Sequence, residues 1–351
     1  MGKLQIGIIG TGGIARGRHL PAFQQIENVN VAAVFDTDLS KAGVAAEAFD
    51  IPAVYATVEE LLEHVEAVVI CTPNKFHAEL AVQALEAGVH VLCEKPMAMT
   101  TAECRNMIDA SRRSGAVLTI GYHYRYMKES RTARQMVQEG EIGDPLVVRL
   151  QAMRRRKVPG WGVFTNKDLQ GGGSLIDYGC HLLDLALWLL DDPQPVEVNG
   201  RTYDRLSKTP GQINEWGTID AESFSVEDHV TGYITFENGM TLLLESSWAA
   251  NIKEDKEELS ISGVDGGLQV FPLELYQSKF GAMMSAEPHL TSYEREDVLQ
   301  AKNFTEACLG QAEVVVKPEQ ALRVTRIIEA VYESSRTGRS VRLDNVYADE
   351  M

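Results

Sequence analysis

An apolar run at 4–9 breaks into Gly10-Thr11-Gly12-Gly13-Ile14-Ala15 and then into a helical pattern. This succession constrains the fold more than any other stretch, because a strand, a glycine turn and a helix in that order make the first unit of a dinucleotide-binding sheet. Gly10 permits the tight turn, Gly12 lets the backbone approach a pyrophosphate, and Ala15 keeps the helix close to its strand. The free N–H groups of the helix start suit the anion. The next strand, 29–35, ends at Asp36, whose carboxylate can accept from a ribose 2′-OH and would repel a 2′-phosphate. NAD is therefore the expected cofactor, with Gly10, Thr11, Gly12, Gly13, Ile14 and Asp36 as its first contacts.

The alternation continues, with strands at 67–71, 90–93 and 117–121 and helical patterns at about 13–26, 39–49, 58–64, 75–87 and 100–114. Thr57, Asn74 and Thr100 sit at helix starts as capping residues. Residues 1–122 thus read as a doubly wound α/β Rossmann domain with a parallel sheet. Past 122 the texture changes, and 123–351 reads as a second α/β domain, with helices at 128–139 and 174–190 and strands at 145–153, 196–206, 226–236, 240–248, 257–262 and 267–271. Glu237-Asn238-Gly239 supplies a hairpin turn, and the strands imply an antiparallel sheet covered on one side by helices. A last helix at about 318–336 is expected to pack back toward the first domain.

Charge and composition remove several classes of partner. With 33 Lys and Arg against 50 Asp and Glu, the net charge of −17 opposes nucleic acid and anionic membrane. The one basic run, Arg154-Arg155-Arg156-Lys157, is short and reads as a solvated or substrate-adjacent loop. No signal-peptide pattern or membrane-length apolar run occurs, and five cysteines without C-x-x-C pairing suit reduced core thiols, so a cytoplasmic location is expected.

A second cluster of polar residues follows the later strands, at the edge where open α/β sheets bind ligands. It comprises Cys71, Thr72, Pro73 and Asn74, then His77, then Glu94 and Lys95. Lys95 precedes Pro96, which keeps its backbone out of the helical region and aims its side chain from a stiff turn. In the second domain, Asp177 and His181 lie four residues apart on one helix face. Spacing leaves their role open. Ser174-Leu175-Ile176-Asp177 has the form of a capping box, and His181 sits among leucines as a core histidine would. The same pair could be a general acid/base set, whereas a metal finds no supporting ligand spacing and none is expected.

Taken in order, Gly10 to Ala15, Glu94-Lys95-Pro96 and the 171–181 stretch resemble the glucose–fructose oxidoreductase / inositol dehydrogenase / rhizopine catabolism (Gfo/Idh/MocA) family. The resemblance covers essentially the whole chain. It implies a Rossmann domain, then a domain with a large, mostly antiparallel sheet whose open face mediates homodimers or homotetramers. It also implies that Lys95, Asp177 and His181 are the catalytic triad, and that Lys95-Pro96 is a cis peptide. The stretch Val158-Pro159-Gly160-Trp161-Gly162-Val163-Phe164-Thr165-Asn166-Lys167 resembles the branch acting at carbon 3 of glucosides, while Lys157 and Tyr178 depart from that pattern. Tyr122, His123, Tyr124, Arg125, Arg154 and Trp161 are the expected substrate walls, together with Asp177 and His181. The expected activity is NAD-dependent oxidation or reduction of a small sugar, against a polyol dehydrogenase or a non-catalytic dinucleotide sensor as rivals.

Overall fold

The computed structural model describes residues 2–291 and 294–343. The chain divides into two compact units, Met1–Tyr126 with Glu294–Thr325 and Met127–Tyr293 with Arg326–Met351. The first holds a six-stranded parallel sheet of β1 (Leu4–Ile9), β2 (Val29–Phe35), β3 (Ala53–Val54), β4 (Ala67–Ile70), β5 (His90–Cys93) and β6 (Leu118–Ile120). Their order, β3-β2-β1-β4-β5-β6, reverses between β1 and β4, and this switch point opens the crevice in which such sheets bind dinucleotides. Strand β4 is buried on both faces, as its unbroken Ala-Val-Val-Ile run requires of a central parallel strand. Thr57 and Thr100 cap their helices as expected, Thr100 in a full capping box with Glu103. Asn74 does not: it opens a three-residue turn of 3₁₀-helix, and the helix after it starts without a side-chain cap.

A helix over Glu296–Cys308, absent from the sequence reading, belongs to this first unit. Its buried side includes Asp297, Gln300 and Thr305 beside Ala301 and Phe304, so polar residues mask the apolar stripe. Phe304 meets Phe23 edge-on at 6.4 Å, Glu296 pairs with Arg18 at 3.3 Å, and Asn303 accepts from the Tyr126 hydroxyl at 3.0 Å. The final helix, Pro318–Thr337, is divided after Thr325 between the two units.

Among the described residues, the second unit is built on nine strands. They are β7 (Pro145–Met153), β8 (Pro195–Tyr203), β9 (His229–Phe236), β10 (Thr241–Ser247), β11 (Lys256–Gly263), β12 (Gly266–Gln269), β13 (Glu274–Lys279), β14 (Ala282–Ala286) and β15 (Val341–Arg342). The order is β14-β13-β12-β11-β7-β10-β9-β8-β15, antiparallel throughout except for the central β7–β10 pair. The β13–β14 hairpin was not read from the sequence because most of it is exposed on both faces and carries no alternation. The turn between β9 and β10 uses Gly239 at φ +82°, with its N–H donating to the Phe236 carbonyl, a three-residue loop. Strand β9 begins at His229, three residues later than its apolar run suggests. Residues 226–228 leave the ladder to serve another purpose.

Candidate active site

In the first unit the glycine turn is held by the acid assigned to the ribose. Asp36 Oδ2 accepts from both the N–H and the hydroxyl of Thr11, at 2.8 and 3.0 Å, and Oδ1 accepts from the Asp38 N–H at 3.0 Å. Asp36 therefore braces the turn, and a carboxylate with about four acceptor positions keeps capacity for a ribose hydroxyl. Gly10 takes φ +89°, its N–H donating to the Phe35 carbonyl. A Cβ on Gly12 or Gly13 would meet no heavy atom within 4 Å, and Ile14 beside them is 42% exposed. The turn is thus an open cradle of backbone followed by a helix start, which fits a dinucleotide pyrophosphate. The Thr72 hydroxyl is buried at the same edge with no hydrogen-bond partner among the described residues.

The second polar cluster folds around the Lys95-Pro96 peptide, which is cis. His77 places Nδ1 2.8 Å from the Pro96 carbonyl and Nε2 2.9 Å from the Thr72 carbonyl, so its ring lies between two loops. A neutral imidazole carries one ring N–H, so His77 donates to one of these two carbonyls and stands between the loops that carry them. Burial lowers its basicity, against the pull of those two carbonyls. Asn74 is buried beside it, Pro73 is partly covered, and Cys71 lies inside, its N–H donating to Ile9 at 2.7 Å and its thiol pushed up by burial. Glu94 is also buried, and His19 meets its Oε1 at 2.6 Å while the Lys95 N–H donates to Oε2 at 3.1 Å. Burial opposes its charge, but His19, with Lys95 and His123, holds the Glu94 carboxyl down to about 2. His19 had no signal in the sequence, since its partner is 75 residues away.

The expected aromatic walls of this unit are deeper than foreseen. Tyr122 is fully buried and Tyr124 nearly so. Arg125 is buried too, donating to the Val315 carbonyl and to Gln320 Oε1, which makes it a structural tie. His123 stacks edge-on against Tyr124 at 5.0 Å; burial and the nearby Arg18 push its imidazole down to about 3 against the attraction of Glu94. It is neutral at ordinary pH.

In the second unit, Leu175–Gly179 winds as a π-helical turn into the α-helix Cys180–Leu189, every residue of which is buried. Asp177 lies in the π turn and His181 in the first α turn, a local geometry frequent at functional sites. The capping box anticipated from Ser174 is not formed. Ser174 is itself helical, and its hydroxyl donates to the Ser246 carbonyl. The cap comes instead from Glu227, whose two oxygens accept from the N–H groups of Gly173 at 2.7 Å and Leu175 at 3.1 Å. Tyr332 donates to the same carboxyl at 3.0 Å. A Cβ on Gly172 would collide with the Tyr332 hydroxyl and one on Gly173 with the Glu227 carbonyl, so the glycine run exists for close approach.

Asp177 is fixed by Trp248, which the sequence reading did not select, and faced by Arg154, which it placed in the substrate wall. The buried Trp248 donates Nε1 to Asp177 Oδ2 at 3.2 Å, and Arg154 Nη1 stands 3.9 Å from the same oxygen. Arg154 in turn lies over Tyr178 at 4.2 Å and Trp216 at 4.6 Å. Tyr178 donates to Glu257 at 2.7 Å, and burial with that carboxylate keeps its phenol protonated. The rest of the basic run is tied to its neighbours, with Arg155 exposed and Arg156 and Lys157 half-buried. Arg156 donates to the carbonyls of Leu206, Ile213 and Ala249, while Arg155 and Lys157 both engage Asp255. His181 is buried, and Trp161 is 55% exposed.

A parallel Rossmann sheet with a glycine cradle, followed by a large open sheet carrying an acid and an imidazole on one helix, defines a nicotinamide-dependent oxidoreductase. Comparison with known proteins agrees. Residues 4–122 match the family described as "Oxidoreductase family, NAD-binding Rossmann fold", and residues 130–269 match "GFO/IDH/MocA C-terminal domain". The chain belongs to the Gfo/Idh/MocA family of NAD-binding oxidoreductases. It is 36% identical to D-glucoside 3-dehydrogenase of Escherichia coli (strain K12) over 345 residues, 97% of each chain. Among solved structures it is similar to an aldose-aldose oxidoreductase from Caulobacter crescentus complexed with glycerol, with a TM-score of 0.82 and 28% identity over 97% of this chain and 100% of that one. GenD2 from gentamicin A biosynthesis, in complex with NAD, gives a TM-score of 0.79 and 27% identity over 98% and 97% of the two chains.

Glu227 generates a pH test. Burial pushes its carboxyl up to about 6 from the ordinary 4.5, although the N–H groups of Leu175 and Gly173 and the Tyr332 hydroxyl pull it down. A raised carboxyl stabilises the fold most in its protonated form, below about pH 4.5, and loses that contribution, about 2 kcal/mol, as pH rises through 6. Glu227→Gln does not titrate. In urea unfolding, wild-type stability minus variant stability should fall by about 2 kcal/mol between about pH 4 and pH 7.5; a difference independent of pH contradicts the buried-carboxylate cap.

Proposed function

We propose that this protein transfers a hydride between NAD and carbon 3 of a glucoside, acting as a glucoside 3-dehydrogenase or, in reverse, a 3-keto-glucoside reductase. The observation that carries this is the 36% identity with D-glucoside 3-dehydrogenase over 97% of each chain, in a chain that also has Lys95, Asp177 and His181. NAD, when bound, accepts or supplies the hydride. Gly10, Thr11, Gly12, Gly13 and Ile14 hold its pyrophosphate, Asp36 its ribose, and the edge at Cys71, Thr72, Pro73, Asn74, Glu94 and Lys95 its nicotinamide end. His181 takes the hydroxyl proton, a role suited to a histidine whose neutral form is available near working pH. Lys95 donates to the same oxygen and stabilises its developing negative charge. The ionised Glu94, adjacent in sequence, favours the charged ammonium that this requires. Asp177, held by Trp248 and Arg154, accepts from a neighbouring sugar hydroxyl.

The protein is further proposed to assemble as a homodimer or homotetramer through the open face of its nine-stranded sheet. The cross-strand neighbours Tyr233 and Leu243 are exposed there, whereas the opposite residues of β9 and β10 are buried. All five cysteines are free thiols, which suits the reducing cytoplasm. No helix among the described residues is long and apolar enough to cross a membrane.

Two substitutions test the roles. Lys95→Ala should lower kcat by about a hundred- to a thousandfold at saturating NADH, a loss larger than any weakening of NADH binding seen by fluorescence titration; turnover within a few fold of wild type sinks the triad assignment. Asp36→Ala should lower the ratio of kcat/KM for NAD over NADP by about tenfold, the loss of one hydrogen bond to a charged group. An unchanged ratio would show that Asp36 serves only to brace Thr11.

A further inference from the structure

Beyond Asp177 in the second unit lies an aromatic surface with its own foundations. Trp161 and Trp216 stand 5.6 Å apart with their planes inclined at 44°, and Phe164 meets Trp161 edge-on at 6.4 Å. A single exposed tryptophan needs no explanation, but the two loops that carry this pair are bound to each other. Asn214 accepts from the Val158 N–H at 2.8 Å and donates to the Val158 carbonyl at 2.9 Å, and the Glu215 N–H donates to the Arg156 carbonyl at 2.8 Å. Gly160 approaches so closely that a Cβ would stand 2.7 Å from the Thr218 carbonyl oxygen. Beneath them Val158, Phe224, Val226, Trp248 and Ala249 form a separate apolar core. Two rings mounted on braced loops over a core keep their faces at little entropic cost on binding.

We propose that Trp161 and Trp216 form a subsite for the second ring of a two-ring glycoside, so that the substrate carries a flat aglycone, a second sugar or an aryl group, on the glucosyl unit held at Asp177. The inference rests on the glucoside reading above. The contacts run outward without a gap: Asp177 to Arg154 at 3.9 Å, Arg154 to the Trp216 ring at 4.6 Å, and Trp216 to Trp161 at 5.6 Å. A sugar whose hydroxyl reaches Asp177 leaves Trp161 three contacts away, beyond that ring and at the place of its substituent. Tryptophan faces bind the C–H face of a pyranose and the π face of an aryl ring by the same dispersion and quadrupole forces. Arg154 connects the two subsites, pairing with the acid of one and stacking on the aromatic ring of the other.

The test compares kcat/KM for methyl glucoside, p-nitrophenyl glucoside and cellobiose in the wild type, Trp161→Ala, Trp161→Phe and Trp216→Ala. Both alanine variants should lower kcat/KM for the two-ring substrates about tenfold more than for methyl glucoside, mainly through KM, and Trp161→Phe should restore much of the loss. A selective loss for cellobiose alone assigns the subsite to a sugar, and for the nitrophenyl compound alone to an aryl group. Equal losses on all three substrates overturn the subsite. If the wild type turns over none of them, the glucoside reading fails, and calorimetric binding in the presence of NADH decides the subsite: affinity for the two-ring ligands that is undetectable, or unchanged in Trp161→Ala, overturns it.

Discussion

A single buried carboxylate organises the helix of the second unit that carries Asp177 and His181. Glu227 sits where the chain has just left the run toward β9, and its two oxygens take the N–H groups of Gly173 and Leu175. A helix start offers unpaired donors and partial positive charge, so an anion there satisfies both needs at once. Burial makes that anion costly, and the Tyr332 hydroxyl adds a third donor from the final helix. The glycines at 172 and 173 follow from this arrangement, because no side chain fits between the helix start and its cap. Asp177 and His181 inherit their positions from it.

The first unit solves a similar problem with other carboxylates. Asp36 ties the glycine turn through Thr11, and Glu94, paired with His19, sits immediately before Lys95. Each acid lies just past a strand end of the parallel sheet and holds a loop by accepting from backbone or imidazole. In both units the groups assigned to chemistry therefore stand on polar supports that are themselves fixed, which is what precise positioning of a reacting hydroxyl demands. His77 completes the set by standing between the Thr72 and Pro96 carbonyls and donating to one of them.

Much of the first unit was legible because buried parallel strands and glycine turns leave local signatures: β1, β2 and β5 begin and end where their apolar runs do. The second unit was less so. β9 starts late because Glu227 and Asp228 are spent on long-range hydrogen bonds, the latter to the Ser207 N–H at 2.6 Å, and no periodicity encodes a partner 21 or 54 residues away. The helix at 296–308 hid behind buried Asp297, Gln300 and Thr305. Ser174-to-Asp177 carried the pattern of a capping box and yet the cap came from elsewhere, since a motif states what local pairing is possible and not which competitor wins. Trp216 and Trp248 likewise had no local mark; only the folded loops bring them to Arg154 and Asp177.

The relation between this chemistry and one carbon of a sugar is open to a direct measurement. With NAD and methyl glucoside deuterated only at carbon 3, the reduced cofactor should gain the mass of one deuterium, and the initial rate should be slower than with the unlabelled sugar if hydride transfer limits turnover. Reduced cofactor that stays unlabelled with this substrate, but becomes labelled when the deuterium is at another carbon, would contradict the assignment of carbon 3.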